Sequence, residues 1–230
     1  MNIPAFIIVR DRIAKLPVLT EWLEARGATV ILVDNDSKYP PCVEYLDKMP
    51  FKTYRLKDNH SKWAPWEHRL IELHPSDYFI VCDPDMYPHE ECPDDAIEHW
   101  IEAYERYPGY HCVGPSYEIS DLPASYSGRR DVVRWEAQFW ARPIEGNAVS
   151  TPYFIAPIDS MFALFKRGGY IDIEKDSLRS NYPYVFRHQT WYMDTEHPTE
   201  EELFYISRCD PNRAHWVREV WPGMEERRPA

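Results

Sequence analysis

Apolar runs that stop abruptly at polar clusters recur along the N-terminal part of the chain. Ala5 to Val9 is continuously apolar and gives way to Arg10-Asp11-Arg12. Thr29 to Val33, rich in β-branched residues, ends in Asp34-Asn35-Asp36-Ser37. Phe51 to Leu56 alternates and precedes the turn Asp58-Asn59-His60-Ser61, and the run Tyr78 to Cys82 leads straight into Asp83-Pro84-Asp85. Short apolar runs bounded by turn residues predict buried strands. Between them the period changes. Leu16, Leu19, Trp22 and Leu23 fall on one helical face, with Pro17 in the first turn and Gly27 at the close. A short helix is predicted over Pro41 to Lys48, and a longer one over Ala64 to Leu73 with Pro65 early and Trp66, Leu70 and Leu73 on one side.

Strand and helix alternating in this way predict an α/β fold, with a mostly parallel central sheet and helices on both faces. Ligands of such sheets lie beyond the carboxyl ends of the strands. Arg10, Asp34 and the pair Asp83 and Asp85 are therefore expected to converge on one crevice. No Gly-rich loop follows the first strand, so neither a dinucleotide fingerprint nor a Walker loop is present. After Pro93-Asp94-Asp95, the spacing of Ile97, Trp100, Ile101 and Tyr104 predicts a helix that Pro108-Gly109 ends. Tyr110 to Ile119 reads as a strand. The rhythm then fails: residues 120–150 mix Pro, Ser, Gly, Arg and aromatics, with a short element around Val132 to Trp140, and form an elaborated region over the crevice. Ser160 to Lys166 reads as a strand, Leu178 to His188 as irregular, and Thr199-Glu200-Glu201-Glu202 as the capping box of a last helix. The expected organisation is one domain over 1–209, with a ligand-binding half over 1–109, an acceptor half over 110–209, and a tail over 210–230.

Charge and composition narrow the partners. A formal net charge of −12 argues against a nucleic-acid backbone as a partner and favours metal-assisted handling of any phosphate ligand. The five cysteines are odd in number and contain no CxxC, which indicates buried thiols in a reducing compartment and neither a disulfide framework nor a zinc site. The N-terminus has no basic n-region or signal-type stretch, and no run approaches the roughly 20 apolar residues of a spanning helix. A soluble, cytoplasmic protein is expected.

Two carboxylates on a turn stiffened by Pro84, at the end of a buried strand, suit a divalent cation that also holds phosphate oxygens. Asp-x-Asp by itself is more often a turn cap beside a solvated carboxylate. The order of motifs is more specific. It resembles the GT-A (Rossmann-like) fold of nucleotide-sugar glycosyltransferases, in particular bacterial and phage family-2-like members. The segments carrying the resemblance are Ile31-Leu32-Val33-Asp34-Asn35, the turn Asn59-His60-Ser61 with Ser where Gly is usual, and Asp83-Pro84-Asp85. Further on, Ala156-Pro157-Ile158-Asp159, Arg187-His188-Gln189-Thr190-Trp191-Tyr192 and the acidic helix Glu200 to Tyr205 are similar to a narrower group of these enzymes. No Glu-Asp pair follows the strand at 160–166, a departure from the commonest family-2 pattern.

The resemblance implies transfer of a sugar from a nucleoside-diphosphate sugar to an acceptor hydroxyl on a glycan, a lipid-linked acceptor or a protein. Asp34 would read the base or ribose, with Arg10 and Asn59 also at the nucleotide. Asp83, Asp85 and His188 would hold Mn2+ or Mg2+, which neutralises the charge that develops on the leaving diphosphate. Arg179 and Arg187 are candidates to bridge diphosphate oxygens with forked donors. An inverting transfer needs a base for the acceptor proton. Asp159, preceded by the apolar Ile158 and close to Pro157, is the first candidate and Glu136 the second; if neither serves, a retaining mechanism stays open. Trp135, Trp140 and Trp191 are candidate stacking surfaces. A sugar-nucleotide nucleotidyltransferase and a non-catalytic nucleotide-sugar-binding module are the rival readings. The first of these normally wants a Gly-rich basic loop near the N-terminus, and Arg10-Asp11-Arg12-Ile13 is not one.

Overall fold

The computed structural model describes residues 2–158, 162–168 and 177–209. Asp159 and the 210–230 tail lie outside the described residues. In chain order the elements are β1 (Ile3–Val9), α1 (Leu16–Ala25), β2 (Ala28–Asn35), α2 (Pro40–Lys48), β3 (Lys52–Leu56), α3 (Ala64–Glu67), α4 (Leu70–Leu73), β4 (Tyr78–Cys82), β5 (Met86–Pro88), α5 (Ala96–Arg106), β6 (Cys112–Tyr117), α6 (Arg129–Glu136), β7 (Tyr153–Ala156), β8 (Phe162–Lys166), β9 (Ser177–His188) and α7 (Glu200–Arg208).

All the strands join one sheet in the order β3-β2-β1-β4-β8-β6-β9-β5, with β7 added on β9. The first four run parallel. β8 then lies antiparallel between β4 and β6, and β9 pairs parallel with β6 and antiparallel with β5 and β7. The fold is α/β on a mixed sheet whose N-terminal half is parallel. From β1 the chain moves outward to β2 and β3, then returns to the other flank of β1 as β4. The strand order thus reverses between β1 and β4, and open α/β sheets bind ligands at such a switch point.

Alternation along each strand builds a core on each face. Ala5, Ile7 and Val9 of β1 join Val30, Leu32, Ile80, Cys82 and Leu164, under Leu16, Leu19, Trp22 and Leu23 of α1 and Ile97 and Trp100 of α5. Phe6 and Ile8 join Ile31, Val33, Phe79, Val81 and Phe165 on the opposite face, covered by Ala64, Leu70 and Ile71. Gly27 closes α1 at φ 71°, donating its N–H to Glu24 O, as a left-handed C-terminal stop requires. At Gly114 of β6 a Cβ would run into the Phe162 carbonyl, so glycine allows the close approach of β6 and β8.

Four elements differ from the sequence pattern: β5 and β7 are short strands that it does not predict, and two others take a different form. The helix expected over 64–73 is broken into α3 and α4 by Arg69, whose φ of 54° is left-handed and whose N–H closes α3 on Trp66 O. The segment expected to be irregular before His188 is β9, the longest strand. Its alternation is masked because it is shared between β7, β6 and β5 and carries Arg179 and Ser180 fully buried.

Candidate functional site

The β1 end is shaped by its own polar residues. Asp11 takes a left-handed φ of 57° and turns its carboxylate on to the loop after β2, accepting from Lys38 N (2.5 Å) and Tyr39 N (2.7 Å). Asp11 N donates to Ser37 Oγ (3.1 Å). This ties the two loops together and projects Arg12 across the sheet edge toward the β4 turn. Arg12 Nη1 donates to Asp85 Oδ2 at 2.6 Å and to Thr190 Oγ1 at 2.9 Å.

Backbone pairing brings the late Arg-His segment to the same place. Met86 of β5 sits opposite His188 of β9, and Gln189 N donates to Asp85 O (2.9 Å). His188 Nε2 consequently lies 3.8 Å from Asp85 Oδ2, and its ring packs 4.9 Å from Trp191. Asp85, Arg12 and Thr190 are buried. Burial works against the charge of Asp85, but His188 and Arg12 outweigh it and hold its carboxyl below the usual carboxylate range. Burial likewise opposes the charge of Arg12, and Asp85, Tyr205, Glu201 and Glu202 overcome it. Both side chains are therefore ionised at neutral pH. Asp83, on the same turn, is half-buried.

Helix α7 closes one side of the crevice. Thr199 and Glu202 form a capping box. Glu201 accepts from Ile13 N (2.9 Å) and Ala14 N (3.3 Å), clamping the loop that carries Arg12. The Arg12 guanidinium lies 4.1 Å over the Tyr205 ring, and burial pushes the Tyr205 hydroxyl up to about 12. Arg208 reaches Asp11 Oδ2 (3.7 Å) and Asp36 Oδ2 (3.8 Å). Arg10 Nη2 donates to Arg208 O at 3.4 Å, while Arg10 Nε is buried without a hydrogen-bond partner.

The crevice floor comes from the β2 end. Asp34 accepts from Ser37 N (2.9 Å) and pairs with Arg55 (2.8 Å). Asn35 Nδ2 donates to Asn59 Oδ1 (2.8 Å) and Ser61 O (3.0 Å), and Asn35 Oδ1 accepts from His60 N (2.8 Å). Asn59 is thus held at the carboxyl edge beside Asp34. Among the predicted site residues, the structure gathers Arg10, Asp34, Asn59, Asp83, Asp85 and His188 around the switch point.

Other candidates are engaged elsewhere. Arg187 faces outward in a cluster with Glu90 and Asp121, its Nε 2.9 Å from Asp121 Oδ2, and Tyr192 also donates to that carboxylate. Arg179 Nη1 lies 3.0 Å from Glu136 Oε2 with both side chains fully buried, and Arg179 Nε donates to Pro157 O (2.8 Å). Its guanidinium stacks over Phe139 (4.1 Å) and Tyr117 (5.3 Å). Arg179 and Glu136 therefore form a fully buried pair that holds the chain at Pro157, just after β7. Trp191 is core, packed on Tyr117; Trp140 packs on Phe154, and Trp135 is about half exposed. Sequence reasoning missed Arg12, Thr190, Glu201 and Tyr205. Arg12 had a signal: it follows the same strand end as Arg10, two residues on.

Asp85 Oδ2 and His188 Nε2 are donors suited to a divalent cation. Among the described residues no three His, Cys, Asp or Glu side chains form a group that would hold one alone. Ions such as Mg2+ commonly take one or two protein ligands and complete their shell with phosphate oxygens and water. The site fits a cation of that kind. No helix among the described residues is long and apolar enough to cross a membrane.

No protein-family model and no curated protein matches the chain. Solved glycosyltransferase structures match most of it at low identity. The chain is similar to mannosyltransferase PcManGT from Pyrobaculum calidifontis in complex with GDP-Man and Mn2+, with TM-score 0.48 and 11% identity, over 97% of this chain and 75% of that one. It is similar to TarS 1-349 from S. aureus, with TM-score 0.46 and 11% identity, over 94% and 68% of the two chains. Glucosyl-3-phosphoglycerate synthase from Mycobacterium tuberculosis in complex with phosphoglyceric acid gives TM-score 0.42 and 11% identity over 72% of this chain and 57% of that chain, little more than half its length. Matches this distant transfer no residue role to this chain, and the functional reading rests on its own geometry.

Proposed function

We propose that this chain is a metal-dependent GT-A-type glycosyltransferase that moves a sugar from a nucleoside-diphosphate sugar to an acceptor hydroxyl, with inversion. The observation that carries the reading is the convergence of buried Asp85 and Arg12 with half-buried His188 at the switch point between β1 and β4. It matches the place where the fold class binds ligands and the Asp-Pro-Asp motif that the sequence shares with such enzymes.

Asp85 and His188 would hold the cation, with Asp83 beside them on the turn. The bound cation supplies electrostatic stabilisation of the departing diphosphate. Asp34, Asn35 and Asn59 form the floor for base and ribose. Arg10, at the end of β1 with a buried and unanswered Nε donor, would contribute to binding the nucleotide. Asp159 would take the acceptor proton; Arg179 donates to Pro157 O in the last part of the described chain before it. Glu136, committed to Arg179, acts as a positioning residue. The half through residue 109 would hold the donor and the half from 110 the acceptor.

The experiment is hydrolysis and transfer measured across uridine, guanosine and thymidine diphosphate sugars, with Mn2+ and with a chelator. Turnover of at least one donor that the chelator abolishes supports the reading. No turnover with any of them, or turnover indifferent to the chelator, overturns it.

A further inference from the structure

Arg12 is a buried charged side chain at the site whose hydrogen bonding the fold leaves incomplete. Nη1 is shared between Asp85 and Thr190, the guanidinium plane rests on Tyr205, and Nη2 is buried with no hydrogen-bond partner. A buried charged donor left unanswered is costly, so its retention points to a partner that arrives with a ligand. The oxygen that Arg12 holds is Asp85 Oδ2, the same atom that faces His188 Nε2 at 3.8 Å. A cation bridging His188 Nε2 and that same Oδ2 would stand against the guanidinium, and two positive centres on one carboxylate oxygen repel each other in a buried site.

We propose that Arg12 is the resident counter-ion of Asp85 and exchanges with a divalent cation when a nucleoside diphosphate binds. The inference deepens the cation site proposed above and rests on it. Without nucleotide, Arg12 occupies Oδ2 and keeps cation affinity low. With nucleotide, Asp85 passes to the cation and Arg12 turns its forked donors, Nη2 included, on to a diphosphate oxygen. Arginine suits both states, because its planar fork matches carboxylate and phosphate alike. No proton moves, and the diphosphate supplies the negative charge that lets the cation and the guanidinium sit in one crevice. Cation and diphosphate then bind with positive coupling, each raising the affinity of the other.

The test uses the full chain and Mn2+ alone, with free Mn2+ followed by electron paramagnetic resonance in the absence of nucleotide. Arg12→Met removes the competing charge and is expected to bind Mn2+ at least threefold more tightly than the native chain. Adding Asp85→Asn to that variant should abolish the gain. Thr190→Val, which loosens Arg12 without touching a charge, should shift affinity in the same direction. It decides the question on the criterion of a twofold gain if circular dichroism shows Arg12→Met to be unfolded. A folded Arg12→Met that binds Mn2+ less than threefold more tightly overturns the proposal, as does a gain that survives Asp85→Asn. Because no sugar nucleotide enters this titration, its failure would sink the exchange at Asp85 and leave the donor-turnover test of the glycosyltransferase reading untouched. A chain that turns over no donor would sink the glycosyltransferase reading and leave this measurement standing.

Discussion

Arg12 Nη1 lies 2.6 Å from Asp85 Oδ2, joining the end of β1 to the turn after β4 across the point where the strand order reverses. The pair is a structural tie as well as part of the site, and each partner depends on the other for its buried charge. Removing one partner of a buried ion pair costs about 3–5 kcal/mol, whereas removing both together is often far milder. Asp85→Ala should therefore lower stability by about 3 kcal/mol, and adding Arg12→Met should return at least about 1 kcal/mol of that loss. Urea denaturation of the native chain, the two single variants and the double variant measures the cycle; strictly additive losses would show that the two charges do not depend on each other.

Glu136 and Arg179 make the second buried pair, 3.0 Å apart and fully enclosed. If Glu136 acted as a base on the acceptor, Glu136→Gln would abolish turnover and leave the melting temperature unchanged. Its commitment to Arg179 gives the opposite expectation. The amide keeps the shape but removes the counter-charge, so Glu136→Gln should destabilise by about 3 kcal/mol. Arg179→Lys should not be neutral either, because lysine has no Nε donor for Pro157 O and no plane to stack on Phe139. Melting temperature measured beside donor hydrolysis separates the two roles.

β1, β2 and β4 were legible because each is an apolar run ending in a polar cluster, and parallel strands buried on both faces produce that pattern, whereas the edge strand β3 showed only as alternation. The crevice followed from topology alone: Asp34 and Asp85 sit at strand ends, and strand ends converge. β9 was illegible for the converse reason. Its buried Arg179 and its Pro183 look like loop chemistry until Glu136, forty-three residues earlier in sequence, supplies the counter-charge. Arg187 was misleading in the same way: a guanidinium next to a candidate metal ligand resembles a phosphate clamp, but strand alternation turns it to the opposite side from His188, toward Glu90 and Asp121. The role of α7 was half legible. Its capping box is a local motif, whereas the grip of Glu201 on Ile13 N and Ala14 N is a contact across most of the chain.

That grip makes a prediction about motion. Thr199 Oγ1 accepts from Glu202 N (3.3 Å), and Glu202 accepts in return from Thr199 N (2.7 Å). Thr199→Ala should cost about 1 kcal/mol of cap stability and fray the first turn of α7, where Glu201 resides. The amides of Ile13 and Ala14 should then exchange with solvent roughly fivefold faster in deuterium-exchange mass spectrometry, while those of β1 stay protected. Unchanged exchange over residues 10–15 would mean that the loop holds Arg12 in place without help from α7.

His99 supplies a pH dependence away from the crevice. Its ring is stacked between Tyr184 (4.0 Å, 8°) and Tyr153 (4.9 Å, 17°). Burial lowers its pKa below the ordinary 6.5, against a smaller opposing pull from Asp95. The unfolded chain therefore takes up a proton at this position before the folded chain does. Stability from the neutral stacked ring is complete above the unfolded value. It is lost as pH falls below about 6.5, at no more than about 1.4 kcal/mol per pH unit, and levels off once the folded ring is itself protonated. His99→Phe keeps an aromatic ring between the two tyrosines and removes the titration. Compared with the native chain in urea at pH 7.5 and pH 5.5, the variant should gain relative stability at the lower pH. His74, which is also lowered by burial, is common to both proteins and cancels. A stability difference that stays constant between the two pH values would place the acid sensitivity of the fold outside the Tyr153–His99–Tyr184 stack.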